Sequence, residues 1–322
     1  MNPCEAAARR LAAGELVAFP TETVYGLGAD AANPIAVGKI FALKGRPANH
    51  PVIVHVTGIE AMRAWGHDLP NAAFALAEKF WPGPLTMIVK RASRVPMIVT
   101  GGQESVGLRC PSHPMAQELL REFARVGSGA IAAPSANRFG HVSPTTAQHV
   151  REEFGPSLPI LDGGACEVGL ESTIVDLSRG APVLLRPGAI TRAQIERALG
   201  EKLRDRDEHA PRASGTLAAH YAPQTALTVM SPASLEADVR NSRNVAVLAL
   251  RDPPAGSMAL FWIAASADPT AYAHDLYANL RKLDDAGAKR ILVEAPPQEA
   301  EWEAVNDRLA RAAAGSAIDD EP

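Results

Sequence analysis

Between Ala31 and Ile59 the sequence holds no Asp or Glu, yet Lys39, Lys44, Arg46, His50 and His55 all fall there. In a chain of formal net charge −4, a carboxylate-free window that gathers basic side chains suits an anion. The alternative is a solvated loop beside a core strand. Other loops carry small, hydroxylic or cationic residues: Pro20-Thr21-Glu22-Thr23, Ser105 to Arg109, Pro134-Ser135-Ala136-Asn137, Ser143, Glu171-Ser172-Thr173 and Arg186-Pro187-Gly188. Taken singly, each reads as an ordinary turn or cap. Taken together they offer hydroxyls, backbone amides and guanidinium groups with no obvious base. That set fits phosphoryl or nucleotidyl transfer, which depends on positioning and charge neutralisation. The sequence has no P-loop, no G-x-S-x-G elbow and no H-E-x-x-H. Gly-Leu-Gly-Ala-Asp-Ala at 26–31 fits a dinucleotide fingerprint, but the acidic residue needed about 20 positions later is missing.

The elements that must position these loops follow from pattern. Pro47 and Pro51 exclude helix around them, and β-branched Val52–Val56 reads as a buried strand. Residues 5–13 read as a helix stopped by Gly14, and Glu15–Phe19 as a strand. Pro34–Leu43 reads as a helix capped by Asn33, and Pro144–Phe154 as one capped by Ser143. Asn71–Phe80, Pro114–Ala124 and Thr191–Leu199 are further helices. Leu85–Val89, Ser105–Arg109, Ala130–Ala133, Ser172–Leu177 and Pro182–Arg186 are further strands. The mixture implies an α/β domain with a substantial sheet over residues 1–200.

Residues 201–224 are charged and poor in large apolar side chains, which suits a linker. From 225 to 322 a second α/β rhythm begins. Its strands are expected at 226–230, 245–249, 260–263 and 290–294, with helices between them, implying a small open sheet. The tail from Gly315 is expected to be disordered. Residues 1–200 carry 19 basic and 17 acidic side chains, and the remainder 13 and 19, an asymmetry that supports two units. There is no continuous basic arm for nucleic acid. No apolar run approaches the roughly 20 residues that span a bilayer, so no membrane partner is expected. The N-terminus reads as a capped helix instead of a signal peptide. Cys4, Cys110 and Cys166 are odd in number and far apart. They argue against a disulfide framework or a cysteine zinc site, and for a reducing cytoplasm.

Six segments now occur in order: PTETVYGLGADA, KGRP with HP and IVH, SVGLR, APSAN, ESTIVD and RPGAI. This set resembles the YrdC/Sua5 family. Ser214-Gly215 followed by His220-Tyr221-Ala222-Pro223 makes the chain similar to the two-domain Sua5 type, over nearly its whole length. The resemblance implies a YrdC-like twisted mixed sheet followed by a smaller Rossmann-like Sua5 domain. It implies synthesis of L-threonylcarbamoyl-adenylate from L-threonine, bicarbonate and ATP, with Mg2+ accompanying the nucleotide. The product would pass to a tRNA threonylcarbamoyltransferase complex that modifies adenosine 37 of tRNAs reading ANN codons. Direct tRNA binding by this chain would be weak.

By the same resemblance, Thr23, His55, Arg109, Ala133 and Ser172 would hold threonine. Arg109 would take its carboxylate, because a guanidinium fork matches two oxygens. Arg46, His50, Ser105, Ser135, Ser143 and Arg186 would contact ATP. Lys44 and Arg46, with Ser135 and Asn137, match the family's paired catalytic motifs. Many relatives have Asn where His50 stands, so its contribution is expected to vary with pH near neutrality. Ser214, His220 and Tyr221 would belong to a lid over the nucleotide, against the alternative of a helical turn leading into the second domain. Two other readings remain. Carbamoyl transfer, as in hydrogenase-maturation relatives, is weakened by the missing zinc-finger cysteines and acylphosphatase segment. An RNA-binding module is weakened by near-neutral charge and the lack of stacking aromatics.

Overall fold

The structure is a computed structural model, and it describes residues 2–316. These divide into two compact units. One holds the residues up to Phe139 together with Pro144–Thr216; the other holds Gly140–Ser143 and the residues from Leu217 on.

The first unit is built on a sheet of ten described strands: β1 Val17–Phe19, β2 Gly26–Asp30, β3 Val54–His55, β4 Gly66–His67, β5 Leu85–Arg91, β6 Ser105–Arg109, β7 Ile131–Ala132, β8 Thr173–Asp176, β9 Val183–Arg186 and β10 Arg204–Asp205. Their order is β1-β2-β7-β3-β6-β5-β8-β9-β10, with β4 beside β5. Parallel and antiparallel neighbours are mixed. Strands β5 and β8 are buried almost throughout, as expected when layers cover both faces of a sheet. Helices Pro34–Lys44, Ile59–Trp65 and Asn71–Phe80 feed Ile40, Met62, Trp65 and Leu76 into the larger core. Helices Pro3–Ala12 and Pro114–Val126 form a second core with Phe19, Leu119 and Phe123.

Several local readings change. The 26–31 glycines do not make a nucleotide-binding turn. Gly26–Asp30 is strand β2, and a Cβ on Gly28 would lie 2.8 Å from Ile131 and 2.9 Å from the Phe19 ring. Those glycines serve close packing across the sheet. The helix expected over Pro144–Phe154 begins only at Ala147. Thr146, not Ser143, caps it, accepting a hydrogen bond from the His149 amide. Strand pairing within Val52–Val56 narrows to Val54–His55, although Val52 and Val56 each donate one backbone hydrogen bond to a neighbour. Within 201–224, Arg204–Asp205 pairs in parallel with Val183–Leu184, so part of the expected linker extends the sheet.

The second unit has four parallel strands, β11 Leu227–Met230, β12 Val245–Ala249, β13 Phe261–Ala264 and β14 Arg290–Glu294, in the order β11-β14-β12-β13. Helices Pro232–Val239, Pro269–Asp284 and Glu303–Ser316 cover it. The last helix includes Gly315, which the sequence reading assigned to a disordered tail; residues 317–322 of that tail lie outside the described residues. No helix of the described residues is long and apolar enough to cross a membrane.

Candidate active site

Strand register gathers the site. In the parallel pair β3–β6, His55 stands opposite Arg109. In the antiparallel pair β6–β5, Arg109 stands opposite Thr86. Ser172 immediately precedes β8, and Arg186 closes β9 opposite Ile174. Five neighbouring strands therefore bring residues separated by more than 130 positions into one polar cluster.

Thr86, Ser172 and Arg186 are linked by hydrogen bonds. Thr86 and Ser172 share a hydroxyl contact at 2.7 Å. The Arg186 guanidinium donates to the Ser172 carbonyl at 2.8 and 3.1 Å and to its hydroxyl at 3.2 Å. Arg186 also donates to the Ser214 carbonyl at 2.8 Å. Gly188 lets this loop approach β8, since a Cβ there would lie 2.5 Å from the Thr173 amide nitrogen.

A second group forms around the loop after helix Pro34–Lys44. Gly45 ends that helix at φ 65°, a conformation that favours glycine, and so turns Lys44 and Arg46 inward. Both are buried. Lys44 Nζ donates to the Ser135 carbonyl at 2.6 Å and to the Asn137 carbonyl, pinning the 134–137 loop. Burial, reinforced by the Arg46 charge, lowers the Lys44 pKa well below the usual lysine range. Arg46 donates to the Pro51 carbonyl at 2.8 Å and to the Ser214 hydroxyl at 3.2 Å, and lies 5.6 Å from the Phe139 ring centre. Ser214 thus touches both Arg46 and Arg186. It also lines, with Ser105, Thr86 and Ala213, a small, partly open pocket.

His50 packs edge-on against Phe139 at 5.4 Å. Burial first, then the charges of Arg46 and Arg212, push its pKa below the ordinary value.

The deepest groups are His55 and Arg109. His55 is held to a pKa of about 3 by burial and then by the Arg109 charge, so it is neutral at physiological pH. Its ring meets Phe19 edge-on at 5.9 Å. Its Nδ1 and the Arg109 Nε are both buried without a hydrogen-bond partner among the described residues. Such groups cost stability unless something satisfies them. The two residues stand opposite one another in register. Thr23 lies fully buried, its hydroxyl 2.9 Å from that of Thr21, and the Ala133 amide donates to the Ile53 carbonyl at 2.9 Å.

The first unit therefore places His55, Ser105, Arg109, Ala133, Ser172 and Arg186 at or beside its strand ends. Thr23, Arg46, His50, Ser135, Asn137 and Ser214 lie in loops, and Lys44 ends a helix. Ser143, His220 and Tyr221 belong to the second unit. There, Tyr221 sits at φ 63°, stacks on Tyr277 at 5.6 Å and lies 5.3 Å from the Arg308 guanidinium. Sequence reading missed Thr86 and the role of Glu22. A lone threonine inside Leu-Thr-Met-Ile-Val was the available signal for the first. Nothing in the sequence links residue 22 to its structural partner.

Among the described residues no three His, Cys, Asp or Glu side chains gather as a metal cage.

Comparison with known proteins agrees with this architecture. Residues 9–188 match the Sua5/YciO/YrdC family model, described as telomere recombination. Residues 190–314 match a model described as the threonylcarbamoyl-AMP synthase C-terminal domain. The chain is 36% identical to the threonylcarbamoyl-AMP synthase of Pyrococcus abyssi, covering 93% of this chain and 90% of that one. It is 39% identical to that of Bacillus subtilis, covering 97% and 93%. The crystal structure of P. abyssi Sua5 complexed with L-threonine superimposes with a TM-score of 0.87 at 36% identity, covering 97% of this chain and 94% of that one.

Proposed function

The chain belongs to the Sua5/YciO/YrdC family, and from that premise we propose that it is a nucleotidyltransferase making L-threonylcarbamoyl-adenylate from L-threonine, bicarbonate and ATP. The observation that carries the reading is the gathering of buried cations, Lys44, Arg46, Arg109 and Arg186, around Ser172 and Ser214. Arg109 supplies the charge for the amino acid carboxylate, with Thr23, Ala133 and Ser172 bounding its side chain and amine. Arg46, Arg186, His50, Ser105, Ser135 and Ser214 form the triphosphate subsite, and Lys44 and Asn137 hold the loop beneath it.

In the reaction, the threonine amine and bicarbonate condense to a carbamate with loss of water. A carbamate oxygen attacks the α-phosphorus, and the bond to pyrophosphate breaks. Negative charge grows on the leaving group, and preorganised guanidinium groups stabilise it. Neutral His55 does not abstract a proton at this depth; it offers a hydrogen bond without adding charge. Mg2+ would neutralise part of the triphosphate. The product would serve tRNA t6A modification through a downstream transferase. The test is mass analysis of the nucleotide product formed from Mg-ATP, threonine and carbon-13 bicarbonate. A labelled threonylcarbamoyl-adenylate supports the reading, and formation of ADP or unlabelled AMP alone contradicts it.

A further inference from the structure

The Pro20-Thr21-Glu22-Thr23 loop contains a carboxylate that the reaction above does not use. Glu22 is 2% exposed. One oxygen accepts from the Arg109 Nη2 at 2.7 Å, and the other accepts from the Ser112 amide at 3.0 Å. Its backbone carbonyl accepts from the Val168 amide at 2.7 Å. Glu22 therefore ties three chain segments together at the back of the guanidinium. A buried carboxylate is retained at such a place only when it is paired and hydrogen-bonded.

We propose that Glu22 is the positioning residue that makes Arg109 selective for a carboxylate-bearing substrate; this rests on the threonine-subsite reading above. An arginine side chain has several rotatable bonds and five donors. By holding Nη2, Glu22 fixes the guanidinium plane and leaves the buried Nε without a protein partner. A substrate carboxylate is an acceptor for the guanidinium donors that Glu22 does not hold. The clamp on Ser112 sets where the chain leaves β6, and so where Arg109 begins. A neutral amide cannot replace Glu22 in this role. Glutamine has one acceptor oxygen, but Arg109 and the Ser112 amide both donate. One contact must be lost, and its NH2 group would face a donor.

The alternative role of a carboxylate here is to temper the charge of Arg109. The two roles predict opposite outcomes. Loss of a positioning clamp weakens threonine binding; loss of a tempering charge strengthens it. The experiment compares the full-length wild type with Glu22→Gln and Glu22→Asp. It measures KM for threonine and for ATP, the thermal shift given by threonine and by ATP, and the same shift with threoninol, which lacks the carboxylate. Glu22→Gln is expected to raise the threonine KM at least ten-fold, leave the ATP KM within two-fold, and reduce the preference for threonine over threoninol. Glu22→Asp should recover part of that preference. An unchanged or lowered threonine KM in Glu22→Gln overturns the proposal. So does an equal loss for threonine and ATP, which a merely structural role would give. Should Glu22→Gln not fold, Glu22→Asp carries the test, and an unaltered threonine-to-threoninol ratio there overturns it. If the wild type itself shows no response to threonine, the subsite reading fails, and that result is distinct from failure of the Glu22 assignment.

Discussion

The two sheets of this molecule bury different things. Among the described residues, the first unit buries Glu22, Lys44, Arg46, Arg109, Glu171, Asp176 and Arg186; Lys44 ends a helix, and the others lie at strand ends or in loops. In the second unit the buried Asp, Glu, Lys and Arg residues are Glu294 and Arg308. The sheet of the second unit is a parallel core of Val245, Val247, Leu248, Leu292 and Val293, of the kind that stabilises a fold through apolar area. Burying charge costs free energy that an apolar core does not. A sheet that spends so much on cations at one set of strand ends is built around a ligand that returns it.

The largest effect that sharpens this contrast should come from Arg186. Its guanidinium touches both Ser172 and Ser214. Arg186→Ala should cost about 2–4 kcal/mol of transition-state stabilisation, read as a loss in kcat/KM for ATP, with circular dichroism confirming the fold. A change of only a few-fold would remove Arg186 from the triphosphate subsite. Next comes Arg109→Ala. Loss of a charge-assisted contact of about 1.5–3 kcal/mol should appear mainly as a raised threonine KM. Equal effects on threonine and ATP would break the division into two subsites.

His55 gives a stability test. Its folded pKa of about 3 lies below the ordinary histidine value, so above pH 6.5 both folded and unfolded forms are neutral. As pH falls from there towards 3, the unfolded chain takes up a proton that the folded one refuses. Stability should then fall by about 1.4 kcal/mol per pH unit from this group. Denaturant unfolding of His55→Gln between pH 6.5 and 4 should show a slope shallower by that amount. An unchanged slope would mean that His55 is not held neutral.

How much of this was legible beforehand varied by element. Ser105–Arg109 and Arg290–Glu294 were readable to the residue, because alternation or β-branching marks them and turn residues bound them. Strand β2 was not, since its glycines suggest a turn until the Phe19 ring and Ile131 are seen to fill their places. The short helices Ile59–Trp65 and Met97–Thr100 have too few residues for a period to show. The basic window marked the segment that holds Lys44 and Arg46, but composition alone left open whether it was a solvated loop; the structure buries both side chains. The alignment of His55, Arg109 and Thr86 depends on register between strands distant in sequence, which local pattern does not encode.

Smaller effects test the edges of the contrast. Ser214→Ala removes one hydroxyl acceptor of Arg46 but keeps the backbone carbonyl held by Arg186. The expected cost is about 0.5–1.5 kcal/mol, a few-fold rise in the ATP KM. Phe261 lies partly exposed on β13, at the margin of the second sheet. Phe261→Ser should leave turnover within about two-fold, the range of ordinary surface substitutions. A large loss there would show that the second sheet takes part in the chemistry.

The most direct measurement is pyrophosphate release from Mg-ATP by the full-length protein, with L-threonine and bicarbonate each supplied or withheld. The account predicts release only when both are present, and its loss in Arg109→Ala at threonine concentrations that saturate the wild type. Release that persists without threonine, or that needs neither co-substrate, would contradict it.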